Sequence, residues 1–299
     1  MVNPTRDTTA GRVYNDLRNL ARRSGRSTDE TMVEYVLERF LYRLSASPLG
    51  QEHFVLKGGL LLAQFGARRM TRDIDILGRA FPADEAEIIR RIATISGTEV
   101  DDGVTFDPTT LKTVPIREED EYHGLRLSMA ASIARARLKL QLDVSFGDPI
   151  TPAPQTIDYP QQLTSESFEI LGYPIATVIA EKLSTAVSLG DLNTRDRDYA
   201  DLYRLIALNN LDGEELTMAL AATAAHRSIT LKPLSTAITD LAERRQTSYT
   251  AWRRRQGPTM VGLPELFTEV VRQVTAFAEP LLTGDAATRT WDATVRTWA

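Results

Sequence analysis

The segment FVLKGGLLLAQFGARRMTRDIDILG, residues 54–78, holds two features whose residue types suit phosphate chemistry. Asp73 and Asp75 alternate with Ile74 and Ile76. On a strand both carboxylates then project from one face while the isoleucines pack behind. Two such acids, about 7 Å apart at Cα, repel each other unless a cation joins them. Mg²⁺ suits them, because it takes carboxylates together with phosphate oxygens. An isolated Asp-x-Asp is more often the solvated end of a strand. The second feature is Lys57-Gly58-Gly59. Glycines between a strand and a helix let backbone approach a ligand closely, and free N–H groups at a helix start attract phosphate. Alone, this too is a tight turn. One short helix separates the two features, and together they place a triphosphate and a metal in one crevice.

Three further positions extend the set. Asp143 lies on the polar face of the alternating stretch ARLKLQLDVSF, in series with Arg137, Lys139 and Gln141. Two acids on one strand and one on a neighbour is the arrangement that holds two metal ions for in-line displacement at phosphorus. Lys182 occupies an apolar-stripe position in IATVIAEKLSTAVSL, where Ile175, Val178, Ile179, Leu183 and Ala186 recur at helical spacing. A lysine there either snorkels to solvent or meets an anion inside. Asp198 is an inward-facing candidate for that anion, since Leu202 and Leu205 follow at i+4 and i+7; Asp201 is another. Both also suit an ordinary helix N-terminus. His53, His123 and His226 lack metal-ligand spacing and read as structural or surface residues. No serine lies in a nucleophile-elbow pattern. Arg68, Arg69 and Arg72 beside the acid pair, and Arg253 to Arg255, are solvated faces or grips for an RNA backbone.

The elements that must position these residues follow from periodicity. Residues 10–46 read as two helices, with Ser27 or Thr28 as a cap. Residues 53–56 form a short strand, 60–65 a buried helix ended by Gly66, and 73–77 the acid-bearing strand. Residues 82–97 are an amphipathic helix started by Pro82, and 124–146 a hairpin or strand pair. A Pro-, Thr- and Gln-rich loop fills 149–165. Helices are expected at 175–189, 197–209, 213–225, 232–246 and 264–282, with a poorly ordered tail. The fold class is α/β, an α/β half followed by an all-helical half. The 299 residues bury a sizeable core and carry a formal net charge of −5, so any nucleic-acid contact relies on a local basic surface. With no cysteine, disulfides and thiolate metal sites are excluded. No apolar run spans a bilayer and no signal-peptide core opens the chain, which points to the cytoplasm.

Taken together, LKGG, RDIDI, LQLDVSFGD, AEKLSTAV and TRDRDYADLYRL, in that order over residues 50–210, resemble the AbiE-type nucleotidyltransferase-like toxins, which include the MenT toxins. The resemblance implies a nucleotidyltransferase fold of the DNA polymerase β superfamily. Its expected parts are N-terminal helices over 1–50, the transferase core over 51–174, and a helical domain over 175–299 that completes the active site. It implies a toxin whose cognate antitoxin is a separate, DNA-binding protein. Gly58 and Gly59 match the family's Gly-Ser or Gly-Gly position, Asp73 and Asp75 its metal-binding acids, and Lys182 and Asp198 its later lysine and aspartate. Asp143 matches the third acid of the wider superfamily. Gly59 stands where the family often has Ser, losing a hydroxyl contact to phosphate. Leu189-Gly190 replaces an arginine often found a turn after the Lys-Leu pair.

The activity expected is Mg²⁺-dependent transfer of a nucleotide from an NTP to RNA, at a tRNA 3′ end, stopping translation. In it Asp73, Asp75 and Asp143 hold metal, and Lys57, Gly58 and Gly59 hold triphosphate. Lys182 offsets phosphate charge, and Asp198 orients Lys182 or accepts the hydroxyl proton. Two alternatives stay open: a small-molecule or protein hydroxyl as acceptor, and a non-catalytic module that binds nucleotide or a partner.

Overall fold

The computed structural model of the chain describes residues 4–118 and 121–299. It divides into two compact units. The first comprises Met1–Leu60, Met70–Gly147 and Thr156–Gly172, and the second Leu61–Arg69, Asp148–Gln155 and Tyr173–Ala299.

In the first unit, helix α1 (Thr9–Ser24) starts where the Thr8 side chain accepts the Gly11 N–H and stops at Gly25, whose φ of 64° is left-handed. Helix α2 (Thr28–Ala46) presents Val36, Leu37, Phe40 and Leu41, all fully buried. Ser27 takes the N-cap position of α2, without a side-chain hydrogen bond. Helix α3 (Pro48–His53) leads into strand β1 (Phe54–Lys57), followed by the single turn α4 (Gly58–Leu61) and a 3-10 turn at Leu62–Phe65. Then come β2 (Ile74–Gly78), α5 (Glu85–Ser96), β3 (Val104–Glu118), β4 (Glu121–Ile133), β5 (Ala136–Phe146), β6 (Gln155–Pro160) and β7 (Ser167–Gly172). These strands form one seven-stranded sheet in the order β3-β4-β5-β2-β1-β7-β6. It is mixed: β2 runs parallel to β5 and β1 parallel to β7, while β1–β2, β3–β4 and β4–β5 are antiparallel.

The register of this sheet matters most for function. Lys57 pairs with Asp75, Asp75 with Asp143, and Asp143 with Arg126. Registered partners on neighbouring strands face the same side, so one row crosses β1, β2, β5 and β4 with signs plus, minus, minus, plus. Ile74 and Ile76 on the opposite face are fully buried.

The second unit contains α6 (Ile175–Leu189), α7 (Asp196–Leu208), β8 (Leu211–Asp212), α8 (Gly213–His226), α9 (Leu234–Ala237), α10 (Leu241–Gln256), α11 (Phe267–Thr283), β9 (Thr290–Asp292) and β10 (Thr297–Trp298). It departs from the sequence reading in two places. First, the tail is ordered: β8, β9 and β10 form a three-stranded sheet, so this half is not all helical. Trp291 explains why. It is 2% exposed, donates from Nε1 to the Ile206 carbonyl at 2.7 Å, and meets Phe277 edge-on at 4.9 Å between centroids. Trp291→Ala is expected to cost about 3–5 kcal/mol, read as a lowered denaturation midpoint; an unchanged midpoint would show the tail to be dispensable. Second, the helix expected over 232–246 is broken. Residue Asp191 accepts the N–H groups of Thr239, Asp240 and Leu241 at 2.9, 3.3 and 3.2 Å, capping α10 from 50 residues away in sequence.

In the first unit, α5 begins at Glu85 rather than at Pro82, because the Asp84 carboxylate accepts the Glu87 N–H at 2.9 Å as the N-cap. The expected loop at 149–165 contains β6, and β3 adds a long strand that periodicity did not reveal.

Candidate functional site

Each unit carries a charged cluster. In the first, the two acids at the centre of the sheet row, Asp75 and Asp143, are side by side, a placement that costs energy unless cations compensate. Asp73 is the residue just before β2, two positions from Asp75 and on the same face. Its Oδ1 accepts the Thr71 hydroxyl at 2.7 Å, which fixes the carboxylate. Arg126 supplies one compensating charge. Its Nε and Nη2 donate to the two oxygens of Asp143 at 2.7 and 2.5 Å. That pairing, first through the Asp143 hydrogen bonds and then through the fields of Asp143, Asp73 and Asp75, raises the Arg126 pKa above its ordinary value. The guanidinium therefore senses all three carboxylates.

Gly58 is the tightest point. Its φ is +68°, and a Cβ placed there would collide with the Asp75 carboxylate. Only glycine allows β1 to turn while leaving that carboxylate its space. The helix after the turn is one α-helical turn and one 3-10 turn, so the backbone approach at Gly58, rather than a helix dipole, is what distinguishes this spot. Gly58→Ala is expected to displace Asp75 and to lower transferase activity at least about tenfold. An alanine variant of full activity would show that the close approach is incidental.

Do these residues suit a metal ion? Among the described residues no three His, Cys, Asp or Glu side chains gather closely enough to form a metal cage. The donors are all carboxylate oxygens, the kind a hard divalent cation takes. Mg²⁺ is commonly held by only one or two carboxylates, with substrate phosphate and water completing its shell. Asp73 and Asp75 fit that role. Asp143 as a third ligand requires Arg126 to give up its two hydrogen bonds.

The second unit holds Lys182, Asp198, Asp201 and Arg69. Lys182 Nζ donates to Asp198 Oδ1 at 2.6 Å and to Asp201 Oδ2 at 2.9 Å. Arg69 Nε donates to both oxygens of Asp201, at 2.9 and 3.2 Å. Arg204 braces the segment that carries Arg69, donating to the carbonyls of Ala67 and Arg68 at 2.9 and 2.7 Å. Burial opposes the Lys182 charge, yet Asp198 and Asp201 outweigh it and hold its pKa above the ordinary lysine value. Burial likewise opposes the Asp198 charge, and Lys182 overrides it, holding the carboxyl below its usual range. Both members are charged at neutral pH. The lysine on the apolar stripe thus meets anions inside, in place of snorkelling.

Not every sequence candidate fits its expectation. Arg69 is buried on Asp201 and is no solvated grip for RNA. His53 is 8% exposed, with Nδ1 3.2 Å from the Arg79 carbonyl and its ring edge-on to Phe81, a packing role. His226 is exposed on the last turn of α8, and the His123 side chain lies outside the described residues. Sequence reasoning missed Arg126. A two-residue hairpin turn at Ala134-Arg135 would have revealed it, since that register makes Arg126 the partner of Asp143.

A mixed sheet with paired acids on neighbouring central strands, in a chain that also carries a helical unit, is a nucleotidyltransferase fold. The chain belongs to the AbiEii nucleotidyltransferase toxin family of type IV toxin–antitoxin systems, whose sequence profile matches residues 39–289. Among solved structures it is similar to MenT4, the nucleotidyltransferase toxin Rv2826c of Mycobacterium tuberculosis H37Rv. The identity is 15%, 90% of this chain and 98% of that one are covered, and the TM-score is 0.52. It is also similar to an H. pylori protein classed as a nucleotidyltransferase, at 16% identity, 86% and 96% coverage and a TM-score of 0.50. No curated protein sequence matches the chain. Family membership implies an NTP substrate and an antitoxin partner. Among the described residues no helix is long and apolar enough to cross a membrane.

Proposed function

We propose that this toxin transfers a nucleoside monophosphate from an NTP to the 3′-hydroxyl of an RNA, a tRNA acceptor end, and thereby blocks translation until its antitoxin neutralises it. The observation that carries the reading is the sheet row: Asp75 beside Asp143, Asp73 on the same face, and Gly58 giving up its Cβ space to the Asp75 carboxylate. In the reaction the RNA hydroxyl gives up its proton to solvent, its oxygen bonds to the α-phosphorus, the bond to the β-phosphate oxygen breaks, and pyrophosphate leaves with that electron pair. Asp73 and Asp75 hold Mg²⁺, with Asp143 as the third acid; the ion supplies charge neutralisation for the triphosphate. Lys57, Gly58 and Gly59 hold the triphosphate. Lys182 offsets phosphate charge in the transition state, a preorganised electrostatic role. Asp198 orients Lys182, whose ammonium donates to Asp198 Oδ1 at 2.6 Å.

The test offers the purified protein Mg²⁺ and each labelled NTP with total RNA, with its own chain alone, and with small hydroxyl acceptors. Label on small RNA from one NTP, falling steeply as salt rises, is the expected result. The net charge of −5 favours the rival acceptors; label on protein or on a small molecule, and none on RNA, would overturn the RNA assignment while keeping the transferase.

A further inference from the structure

A second charged feature of the helical unit has no part in the chemistry above. Between the start of α7 and the last turns of α10 lies an open cavity of about 330 Å³, walled by Arg195, Arg197, Ser248, Trp252 and Arg255 together with Asp196. The one acid in this wall is already neutralised. Arg245 donates to Asp196 from Nε and Nη2 at 2.7 and 3.0 Å, and Ser248 donates to it at 2.5 Å. Arg197 and Arg255 are exposed, and neither has a hydrogen-bond or ion-pair partner among the described residues. Arg197 and Arg255 therefore give the cavity exposed positive charge on a chain that is acidic overall.

Its other wall is aromatic. Trp252 is half-buried, and its ring lies 6.2 Å from that of Tyr249. Tyr249 is fully buried and stacks on Phe267 at 4.7 Å, so the tryptophan stands on a rigid base. A flat π surface beside several guanidinium groups is the combination that takes a nucleobase and its phosphates. Stacking tolerates any base, while the cations follow the backbone. Arg197 on α7 and Arg255 on α10 are separate cations and ask for more than one phosphate. That favours a strand over a single nucleotide. We propose that this cavity binds a nucleotide of a single RNA strand, with the base on Trp252 and flanking phosphates on Arg197 and Arg255. The inference rests on RNA being the acceptor and gives that acceptor a docking point. The point lies on the same first turn of α7 that carries Asp198.

The test uses the full chain with a labelled single-stranded RNA oligonucleotide, without NTP or metal, so that binding is read apart from catalysis. RNA is expected to quench tryptophan fluorescence, and Trp252→Phe is expected to remove most of that quenching while keeping most of the affinity. Trp252→Ala is expected to weaken binding about tenfold. Arg197→Gln with Arg255→Gln is expected to weaken it further and to lower the slope of log K against log salt by roughly 1.4, two phosphate contacts' worth. Thermal melts of each variant report folding separately. Wild-type affinity in folded Arg197→Gln/Arg255→Gln and Trp252→Ala variants would overturn the cavity assignment and leave the transferase reading standing. A mononucleotide that binds as tightly as the strand would overturn the strand assignment. RNA that fails to bind the wild-type chain would overturn both this inference and the RNA acceptor.

Discussion

Asp75→Asn is expected to lower nucleotidyl transfer by roughly 10³-fold, about 4 kcal/mol of transition-state stabilisation, while leaving the fold intact. Asparagine keeps the size of the side chain and removes its charge. In the sheet row Asp75 pairs directly with Asp143, and like charges at directly opposed positions are destabilising. Asp75 also stands opposite Lys57 in that row, so removing its charge relieves one repulsion and gives up one attraction, and the denaturation midpoint is expected to stay nearly the same. Lost activity with undiminished stability is the mark of a residue kept for its chemistry. Asp75→Asn protein with near wild-type transfer would make the acids structural and favour a non-catalytic module. Measured rates and melts on one preparation decide it.

Lys182 predicts a different pattern. Lys182→Met leaves the Asp198 carboxylate without its partner in a buried setting, where Asp198 is 9% and Asp201 1% exposed. Breaking a buried pair from one side costs about 3–5 kcal/mol, a fall in melting midpoint of roughly 5–15 °C. Adding Asp198→Asn removes the stranded charge and is expected to recover much of that loss. Transfer should stay abolished in the double variant, because the ammonium that offsets phosphate charge is still missing. Recovery of both stability and activity would assign Lys182 a purely structural role. The pair also sets a pH window. The lowered Asp198 pKa means its stabilisation is fully present above the unfolded value of about 3.9 and is lost as pH falls through the folded one. The raised Lys182 pKa means its contribution is complete below about 10.4 and is lost as pH rises through the folded value. Wild type should therefore lose its advantage over the double variant at both extremes and keep it between them.

How much of this was legible beforehand depends on the range of the forces involved. Helix α6 was read with its observed limits, because its apolar stripe is local and Pro174 and Gly190 bracket it. Strand β2 and the Gly58 turn were legible from alternation and from glycine placement. Strand β3 was not. It carries Pro108 and Pro115 and only scattered apolar residues, which is tolerable because it is an edge strand paired with β4 alone. Strand β6 lies at the other edge and turns just Ile157 and Tyr159 inward. The break between α9 and α10 depends on Asp191, a cap supplied from far along the chain. The site shows the same division. Types and spacing singled out Asp73, Asp75, Asp143, Lys182 and Asp198. The partner of Asp143, Arg126, follows only once the hairpin register is fixed, and the pairing of Arg69 with Asp201, braced by Arg204, comes from tertiary packing that no local pattern encodes.

The claim at the centre is that the face of β2 is a metal and triphosphate site. Electron paramagnetic resonance of Mn²⁺, titrated into wild type and into Asp73→Asn/Asp75→Asn with a non-hydrolysable NTP analogue, measures it without needing the acceptor. Nucleotide-dependent Mn²⁺ binding in the wild type that disappears in the folded double variant is the predicted result. Equal Mn²⁺ binding by both proteins, or none by the wild type, would contradict it.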